Sequence, residues 1–493
     1  MNPIRKNKAM RLGALCQQIL DIPTEWETLP ISGVAYDSRN VQRGDLFVAV
    51  PGLKEDGSRF ADEAVRKGAA VVVSEKTFAL PVPLIVARNA RKILALLANR
   101  FYGDLSRRIP VIGVTGTNGK TTTAFFMESV LRQSGLEPGL LGTVLVRWKG
   151  KENKALHTTP ESVDLHRTLR EMTDEGVKAV VMEVSSHALA LDRVYGMTFR
   201  AALFTNLTQD HLDFHGNLDA YADAKSVLFG MVDPKGIAVI NADDPFGERM
   251  RSASKGRTVT YGTGKTTCDY RIKNLRHSLQ GTTFVLSHGS AVLPISLGMW
   301  GRFNAMNAAA AAACALELNL DRRDVLRGIQ AVKHVPGRME GMVGPSGVKV
   351  IIDFAHTPDA LDNVLGAVRE FTKGKVIVVF GCGGDRDRTK RPLMGGIAAK
   401  RADRVIVTSD NPRSENPESI IQDILKGIKA SGRVESIADR EQAIQKAIAG
   451  AGPNDTVVVA GKGHETHQDI GGQLIPFDDR RVVETHFARF AGL

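Results

Sequence analysis

A glycine-rich stretch carries the clearest chemical signal in the chain. In "VIGVTGTNGKTTTAFF", residues 111–126, an apolar strand runs into glycines, a lysine, a threonine and a helix. Backbone N–H groups at such a helix N-terminus can cradle phosphates, while the lysine holds the terminal phosphates and the threonine hydroxyl reaches Mg²⁺. The common spacing would place glycine where Val114 stands. We predict a phosphate-binding loop made of Gly116, Thr117, Asn118, Gly119, Lys120, Thr121 and Thr122.

Further groups that could bind a metal follow the next predicted strands. Glu183 ends a strand-like run in "VMEVSSHAL", and a carboxylate beside a phosphate loop is well placed to hold a cation. His211 and His215 lie in the loop "NLTQDHLDFHG", where histidines are commonly structural unless other ligands converge on them. Lys225 lies on the helical pattern "YADAKSVLF", which by itself favours a solvated head group.

The segment "TSDNPRSENP", residues 408–417, places Arg413 between a proline and a serine. A guanidinium offers planar paired donors that suit a carboxylate or a phosphate. The same segment also has Asn, Ser and Pro where the start of a helix would have them. From these residues alone, a turn and an anion-binding site both stay open.

Alternating strands and helices must position these groups. Strand-like runs alternate with helical patterns from residue 108 onwards, which implies crossover connections and parallel pairing, and a fresh alternation begins after residue 336. We predict an α/β protein of three domains, with a central P-loop-type, mainly parallel sheet and a C-terminal doubly wound, Rossmann-like sheet. The predicted domains are 1–107, 108–336 and 337–493, with hairpin strands over 257–298.

Composition narrows the class of protein. At 493 residues with 43% apolar and 24% charged residues, the chain is typical of a soluble globular protein of several domains. The net charge of +11 comes mostly from scattered basic pairs without interleaved aromatics, which favours small anionic ligands over nucleic acid. No run is long enough to span a membrane. The four dispersed cysteines are typical of reduced thiols, so we expect a cytoplasmic protein.

Taken together, the motifs resemble the Mur ligase family, the ATP-dependent amide-forming enzymes of peptidoglycan synthesis. From about residue 31 to the end, the family's order is met by "GVTGTNGKTTT", "MEVSSH", "NLTQDHLDFHG", "YADAK", "PGRME", "DFAHTPDAL", "FGCGGDRDRTKRPLM" and "GKGHE". The resemblance is strongest to members that add meso-diaminopimelate to UDP-N-acetylmuramoyl-L-alanyl-D-glutamate. It implies a role in cell-wall biogenesis, and with it in cell shape and division. The sequence does not give the oligomeric state, and we expect a monomer.

The resemblance also implies roles for individual residues. Lys225 would be carbamylated and would hold one Mg²⁺ with Glu183 and His211, while Thr121 and Glu183 hold a second among the phosphates and Lys120 takes part in catalysis. ATP would also meet Asn304, Arg338, Asp353 and His356. The UDP-sugar peptide would meet Ser38, Thr158, Thr159, Ser185 and Arg193, with residues 53–57 beside the uridine. Diaminopimelate would meet Arg386, Asp410, Asn411, Pro412, Arg413, Gly461 and Glu465.

The implied reaction has rivals. In the family reaction, the D-glutamyl carboxylate attacks the γ-phosphate of ATP, and an amine then displaces phosphate from the acyl phosphate. Arg413 would grip the far carboxylate of diaminopimelate, which lysine lacks. A lysine-adding ligase, a folylpolyglutamate synthase and a nucleotide-dependent switch are the alternatives, and Leu191 departs from the polar Gln that the family commonly has there.

Overall fold

The computed structural model describes residues 9–52, 55–155, 157–264, 267–278, 281–429 and 433–490. Of the segment expected beside the uridine, residues 53 and 54 lie outside these ranges. Within them, the main sheets have four, eleven and six strands, and two further two-stranded pairings occur. None of the helices in the described ranges combines the length and the apolar character that a bilayer span requires.

The N-terminal sheet is parallel throughout and has the order β3-β4-β5-β6. Its strands alternate with helices that bury apolar residues such as Leu94 and Leu97 against the sheet. The elements are β1 Met10–Arg11, α1 Leu12–Cys16, β2 Pro30–Ile31, β3 Gly33–Ala35, β4 Asp45–Ala49, α2 Ala61–Arg66, β5 Val71–Ser74, β6 Leu84–Val86 and α3 Ala90–Tyr102.

The central sheet has the order β10-β9-β8-β11-β7-β12-β13-β14-β15-β16-β17. The pairs from β8 to β15 are parallel, and antiparallel strands extend both edges. The strands are β7 Val111–Thr115, β8 Pro138–Leu141, β9 Leu145–Trp148, β10 Lys151–Lys154, β11 Ala179–Glu183, β12 Phe199–Phe204, β13 Val232–Asn241, β14 Arg257–Gly262, β15 Tyr270–Ser278, β16 Gly281–His288 and β17 Ala291–Leu297. The hairpin strands expected over 257–298 are confirmed for β15 to β17, whereas β14 pairs in parallel.

Helices cover the central sheet. They are α4 Lys120–Gln133, α5 Ser162–Asp174, α6 Ser186–Ala190, α7 Leu212–His215, α8 Leu218–Gly230, α9 Gly247–Ala253, α10 Arg302–Glu317 and α11 Arg322–Ala331. The alanines of α10 are fully buried, because small side chains allow this helix to pack closely against α4 and the sheet.

The C-terminal sheet has the order β18-β19-β23-β20-β21-β22 and is parallel except at β18. Its elements are β18 Glu340–Val343, β19 Lys349–Asp353, α12 Pro358–Phe371, β20 Val376–Phe380, α13 Lys390–Arg401, β21 Arg404–Val407, α14 Pro417–Leu425, β22 Val434–Ser436, α15 Arg440–Ala449, β23 Thr456–Ala460, β24 His467–Ile470, β25 Gln473–Pro476 and α16 Asp479–Phe490. Separate apolar cores contain residues of α12, α13 and α14 and residues of α15 and α16. The doubly wound sheet is therefore confirmed.

Sheet register brings the predicted groups together. Glu183 at the end of β11 pairs with Val114 of β7, and Phe204 at the end of β12 pairs with Thr115. The loops that follow these three adjacent strands therefore meet at one edge, as ligand-binding loops of parallel sheets do. In the C-terminal sheet, Asp353 pairs with Ala460 across β19 and β23, so the loops that follow them also share an edge. The domain boundaries near 107 and 336 stay predictions.

Candidate active site

The phosphate loop requires glycine at two positions. Gly116 has φ +150°, and a Cβ there would lie 1.9 Å from the Thr205 hydroxyl oxygen. Gly119 has φ +86°, and its Cβ would lie 2.3 Å from Asn307 Oδ1. Both positions combine a backbone that disfavours L side chains with no room for one. Val114 is buried inside β7, so the loop does not need a glycine at that position.

The loop is also anchored by its neighbour after β12. The Thr117 N–H donates to the Asn206 carbonyl at 2.8 Å, and the Asn118 N–H donates to Asn206 Oδ1 at 2.9 Å. The Thr122 side chain lines the cleft beside Asn118 and Gly119. The loop is thus held in shape by protein contacts before any ligand is considered.

Two lysines converge on the loop. Lys120 Nζ donates to the carbonyl oxygens of Gly116 and Thr117 at 2.9 and 2.8 Å, and Lys225 Nζ donates to the Gly116 carbonyl at 2.8 Å. Lys225 is only 1% exposed, so the solvated head group that the helical pattern favoured is wrong. Burial, reinforced by the positive charge of Lys120, lowers the pKa of Lys225 well below its usual value. Burial also lowers the pKa of Lys120.

Glu183 is bound by hydroxyl and amide donors. The Thr121 hydroxyl donates to Glu183 Oε2 at 3.0 Å, and Thr143 donates to the two carboxylate oxygens from its N–H at 2.7 Å and its hydroxyl at 2.9 Å. Arg338 Nη2 donates to the Thr121 hydroxyl oxygen at 3.2 Å. The Glu183 carboxylate and the Thr121 hydroxyl therefore lie together at the start of α4. Both are hard oxygen donors of the kind that Mg²⁺ prefers.

His211 lies in a compact cluster of rings. Its backbone is left-handed at φ +55°, and its ring packs edge-on against His187 with centroids 4.7 Å apart. Burial lowers the pKa of His211 to about 3, so the imidazole is neutral at neutral pH, the form that can ligate a metal. His215 instead contacts the Ser186 hydroxyl at 3.0 Å and packs on Tyr221, a contact that suits a structural residue.

The four predicted metal ligands lie around the loop without forming a closed cage. Thr121 and Glu183 are joined by a hydrogen bond. His211 and Lys225 instead lie beside Tyr221: the His211 and Tyr221 ring centroids are 6.2 Å apart, and Lys225 Nζ lies 4.3 Å from the Tyr221 ring centroid. In the described ranges, no group of three or more His, Cys, Asp and Glu side chains is placed to hold a metal. A metal would therefore draw on hydroxyl, lysine-derived or substrate oxygens as well.

Asp210 joins the central domain to the C-terminal domain. Its carboxylate lies 3.3 Å from His211 Nε2, 3.7 Å from His356 Nε2 and 3.8 Å from Lys390 Nζ. Burial opposes its ionisation, but the hydrogen bond from His356 and the charge of Lys390 hold the pKa of Asp210 well below its usual value. Asn118 adds a second link by donating to Asp359 Oδ2 at 2.9 Å.

A cleft opens between these two domains beside the loop. Its walls include Asn118, Gly119, Thr122, Phe303, Met306, Asn307, Arg338, Asp353 and Asp359. Asn304 lies behind this wall, where its amide donates to the Trp300 carbonyl at 2.8 Å. Asp353 accepts from the Met339 N–H at 2.7 Å, and burial raises its pKa. His356 faces Asp210 rather than the cleft.

The residues expected to bind the sugar peptide lie in two regions, one in the central domain and one in the N-terminal domain. Thr159 donates from its hydroxyl to the Glu183 carbonyl at 2.8 Å and accepts from the Ser185 N–H at 3.0 Å, and Arg193 Nη1 donates to the Thr159 carbonyl at 3.0 Å. The Thr158 hydroxyl contacts that of Thr143 at 3.1 Å, so these side chains surround Glu183.

Ser38 belongs to the N-terminal domain, where its hydroxyl donates to Glu63 Oε2 at 2.7 Å. The two regions are joined by the Tyr36 hydroxyl, which donates to Asp164 Oδ2 of α5 at 2.7 Å. Helix α5 follows directly after the loop that carries Thr158 and Thr159. The N-terminal domain is thus tied to the same side of the central domain as that loop.

The predicted amino-acid site lies where β21 and β23 end. Asn411 donates to Glu465 Oε2 at 2.8 Å, and a Cβ at Gly461 would lie 2.4 Å from Asp410 Oδ2. The carbonyl of Pro412 leaves no room for a side chain at Gly384, since a Cβ there would lie 1.9 Å away. The cluster is therefore tightly packed around Asp410 and Asn411.

Two arginines, Arg386 and Arg413, belong to this cluster. Arg413 Nη1 donates to the Gly384 carbonyl at 2.7 Å, and burial together with the charge of Arg386 lowers the pKa of Arg413. Arg386 in turn contributes to the lowered pKa of His187, which packs against His211. Arg386 of the C-terminal domain therefore lies close enough to the central domain to act on His187.

Sequence reasoning missed several residues of the site. Lys462 is fully buried and donates to Asn411 Oδ1 and Glu465 Oε2, each at 2.9 Å. Asp210, Thr143 and Asn307 were also missed. Asp210 and Lys462 stand inside quoted motifs, next to His211 and within "GKGHE", so adjacency could have found them. Thr143 carries no local signal.

Family models match the three parts of the chain. The Mur ligase family catalytic domain matches residues 30–105, the Mur ligase middle domain matches residues 114–315, and the Mur ligase glutamate ligase domain matches residues 337–463. The chain belongs to the Mur ligase family, as the order of its motifs predicted.

Within this family, the chain is similar to individual ligases over nearly their whole length. The chain is 43% identical to UDP-N-acetylmuramoyl-L-alanyl-D-glutamate--2,6-diaminopimelate ligase of Bacillus licheniformis over 96% of its own length and 99% of the relative's. It is 44% identical to the ligase of the same name from Geobacillus kaustophilus, over 92% and 94% of the two chains. A solved structure under that enzyme name has 33% identity and a TM-score of 0.70, covering 98% of this chain and 100% of the other.

Proposed function

We propose that the chain is an ATP-dependent ligase that adds meso-2,6-diaminopimelate to the D-glutamate of UDP-N-acetylmuramoyl-L-alanyl-D-glutamate in peptidoglycan precursor synthesis. The observation that carries the proposal is the full-length likeness to ligases of that name, at 43% identity for the Bacillus licheniformis relative. The site supports it, because the buried acid Glu183 is bonded to Thr121 of the phosphate loop, and Arg386 of the arginine-bearing pocket acts on His187 of the central domain.

The first step joins two anions. The D-glutamyl carboxylate attacks the γ-phosphate of ATP, which gives an acyl phosphate and ADP. Lys120, the N-terminus of α4 and Arg338 place positive charge around the transferring phosphoryl group, which lowers the repulsion between carboxylate and triphosphate. The loop and the cleft beside Asn307 and Asp353 bind the nucleotide.

The proposed Mg²⁺ sites rest on Thr121, Glu183, His211 and Lys225. Bound Mg²⁺ would neutralise phosphate charge and hold the phosphates in line. Burial lowers the pKa of Lys225 well below its usual value, which favours the amine that reacts with carbon dioxide to form a carbamate, and the carbamate would turn a base into a carboxylate-like ligand. Neutral His211 meets the same requirement for a ligand.

The second step uses the C-terminal domain. Glu465, Asp410 and Asn411 orient the ammonium group at the far end of diaminopimelate, while Arg413 and Arg386 pair with the carboxylate beside it. The free amine at the other end displaces phosphate from the acyl phosphate. Closure through Asp210 and the Asn118 to Asp359 hydrogen bond keeps water from the acyl phosphate.

The sugar-peptide substrate extends from Ser38 past Thr158, Thr159, Ser185 and Arg193 to Glu183. This path runs along the contact between the N-terminal and central domains. We further propose that the protein works as a cytoplasmic monomer with domain boundaries near residues 107 and 336.

The proposal is tested by ADP formation with purified protein, ATP and Mg²⁺. We expect ADP only when the UDP-sugar dipeptide and diaminopimelate are both present, together with a product whose mass is that of the two joined by loss of water. ADP formation that ignores diaminopimelate would instead favour a nucleotide-dependent switch.

A lysine-adding ligase is tested in the same assay. Replacing diaminopimelate with lysine should lower kcat/KM by at least about 100-fold, because lysine has no carboxylate to pair with the remaining donors of Arg413 in a half-buried site. Equal turnover of the two amino acids would contradict the assignment of the amine substrate.

A further inference from the structure

A short hairpin lies against the proposed amino-acid pocket. Strands β24 and β25 pair in antiparallel register with Ile470 opposite Gln473, which leaves a two-residue turn of Gly471 and Gly472. Both glycines have positive φ, +61° and +81°, as a type I′ turn requires. The pairing is therefore specified locally by the two glycines, and the hairpin is a defined element.

The hairpin is bonded to the loop that carries Arg413. Gln468 Nε2 donates to the Asp410 carbonyl at 2.8 Å, and the Asp469 N–H donates to Asn411 Oδ1 at 3.1 Å. The Arg413 N–H donates to the Asp469 carbonyl at 2.9 Å, and the Gly471 N–H donates to the Arg413 carbonyl at 2.7 Å. Both backbone polar groups of Arg413 are thus satisfied by the hairpin.

These bonds matter because the backbone of Arg413 is strained. Its φ is +53°, a left-handed conformation that is uncommon for residues other than glycine and persists only where the surrounding structure holds it. The direction in which the Arg413 side chain leaves the loop therefore depends on the hairpin.

Asp469 also acts on the guanidinium. Its Oδ2 lies 3.9 Å from Arg413 Nε, while its Oδ1 accepts from the Gly472 N–H at 3.1 Å. The Gly384 carbonyl accepts a hydrogen bond from Arg413 Nη1, and Arg413 Nη2 makes no hydrogen bond to any of the described residues. The side chains of Arg413 and Asp469 are 25% and 27% exposed, so water screens their attraction only in part. One edge of the guanidinium is held and its remaining donors are free for a ligand.

We propose that Asp469 is a positioning residue that sets the preference for an amino acid with a second carboxylate. The inference rests on the proposed function and deepens it. Asp469 opposes the charge of Arg386 beside Arg413 and keeps the guanidinium turned so that its free donors meet the ligand carboxylate. Lysine has no carboxylate there and gains nothing from this orientation.

The test compares Asp469→Asn with wild-type protein. Asparagine keeps the acceptor for the Gly472 N–H and removes the charge next to Arg413. We expect the KM for diaminopimelate to rise about 3- to 10-fold, the scale for losing a partly exposed charge pair beside a binding group. The KM for ATP and the residual kcat/KM for lysine should stay within about 2-fold, since neither uses the Arg413 guanidinium.

A matched control removes a charge elsewhere in the same domain. Glu484 pairs with Arg480 at 2.9 Å on the exposed face of α16, so Glu484→Gln should leave the KM for diaminopimelate unchanged. A second control places Asp469→Asn in an Arg413→Ala background, where it should have no further effect. If wild-type turnover of lysine is too slow to detect, the double variant alone tests whether Asp469 acts through Arg413.

The inference is overturned if Asp469→Asn leaves the KM for diaminopimelate unchanged, lowers both amino-acid activities alike, or adds its full effect in the Arg413→Ala background. Failure of the proposed function shows earlier and separately, because wild-type protein would then form no diaminopimelate-dependent ADP, and that result would overturn the role of Asp469 with it.

Discussion

His166 is fully buried in α5, and neither ring nitrogen has a hydrogen-bond partner within the described residues. Burial lowers the pKa of His166 from 6.5 to about 3. An unfolded chain therefore binds a proton below about pH 6.5 that the folded chain does not accept until about pH 3. The contribution of His166 to the unfolding free energy is therefore fully present above about pH 6.5 and is lost as the pH falls from 6.5 towards 3.

The size of the loss follows from the shift. Each unit of pH below 6.5 costs about 1.4 kcal/mol until the folded pKa is reached, so about 2 kcal/mol is lost by pH 5. Replacing His166 with leucine, which has a similar volume, removes the titration and two unpaired buried nitrogens. The His166→Leu variant should therefore lose about 2 kcal/mol less than wild type between pH 7.5 and pH 5.

Urea unfolding followed by circular dichroism at the two pH values measures this difference. The exposed His157 provides a control, because His157→Leu makes the same substitution without removing a buried group. The other buried histidines contribute equally to the pH dependence of stability in wild type and variant, so their contributions cancel in the difference. An identical pH dependence for His166→Leu and wild type would refute the reasoning.

Three further predictions concern the site and its support. Gly116→Ala should lower kcat/KM for ATP by at least about 100-fold with folding preserved by circular dichroism, because its Cβ meets the Thr205 hydroxyl at 1.9 Å; near-normal kinetics would contradict this. Glu183→Gln should lower kcat by about 100-fold or more with little change in the KM for the UDP-sugar peptide, and a pure KM effect would argue against a role in the phosphoryl step. Arg440→Met should cost about 3 to 5 kcal/mol of unfolding free energy in urea, since it removes the partner of the buried Asp479 carboxylate 2.7 Å away, and an unchanged unfolding free energy would contradict a stabilising role for this ion pair.

The parts of the fold with local signals were predictable. The phosphate loop has glycines at fixed spacing before a helix, and the ends of β7, β11 and β12 had to meet because parallel strands present their carboxyl ends at one edge. The buried helix α10 was predictable from its alanines, since a long run of small apolar side chains suits only close packing.

Other features depend on partners that are distant in sequence. Asn118 and Asp359 are 241 positions apart, and nothing near either residue indicates the other. The helix pattern around Lys225 does not indicate its burial, because the Gly116 carbonyl that accepts from Lys225 lies 109 positions away. The β24–β25 hairpin was missed because its strands are short and its outer residues Leu474 and Ile475 are exposed, so no alternation marks them.

The central claim is that this chain joins two substrates by passing the D-glutamyl carboxylate through an acyl phosphate. Oxygen-18 in that carboxylate tests it most directly, with the released phosphate analysed by mass spectrometry after turnover with ATP and diaminopimelate. The mechanism predicts one labelled oxygen in each phosphate released. Phosphate that carries no label, alongside normal amide product, would contradict it.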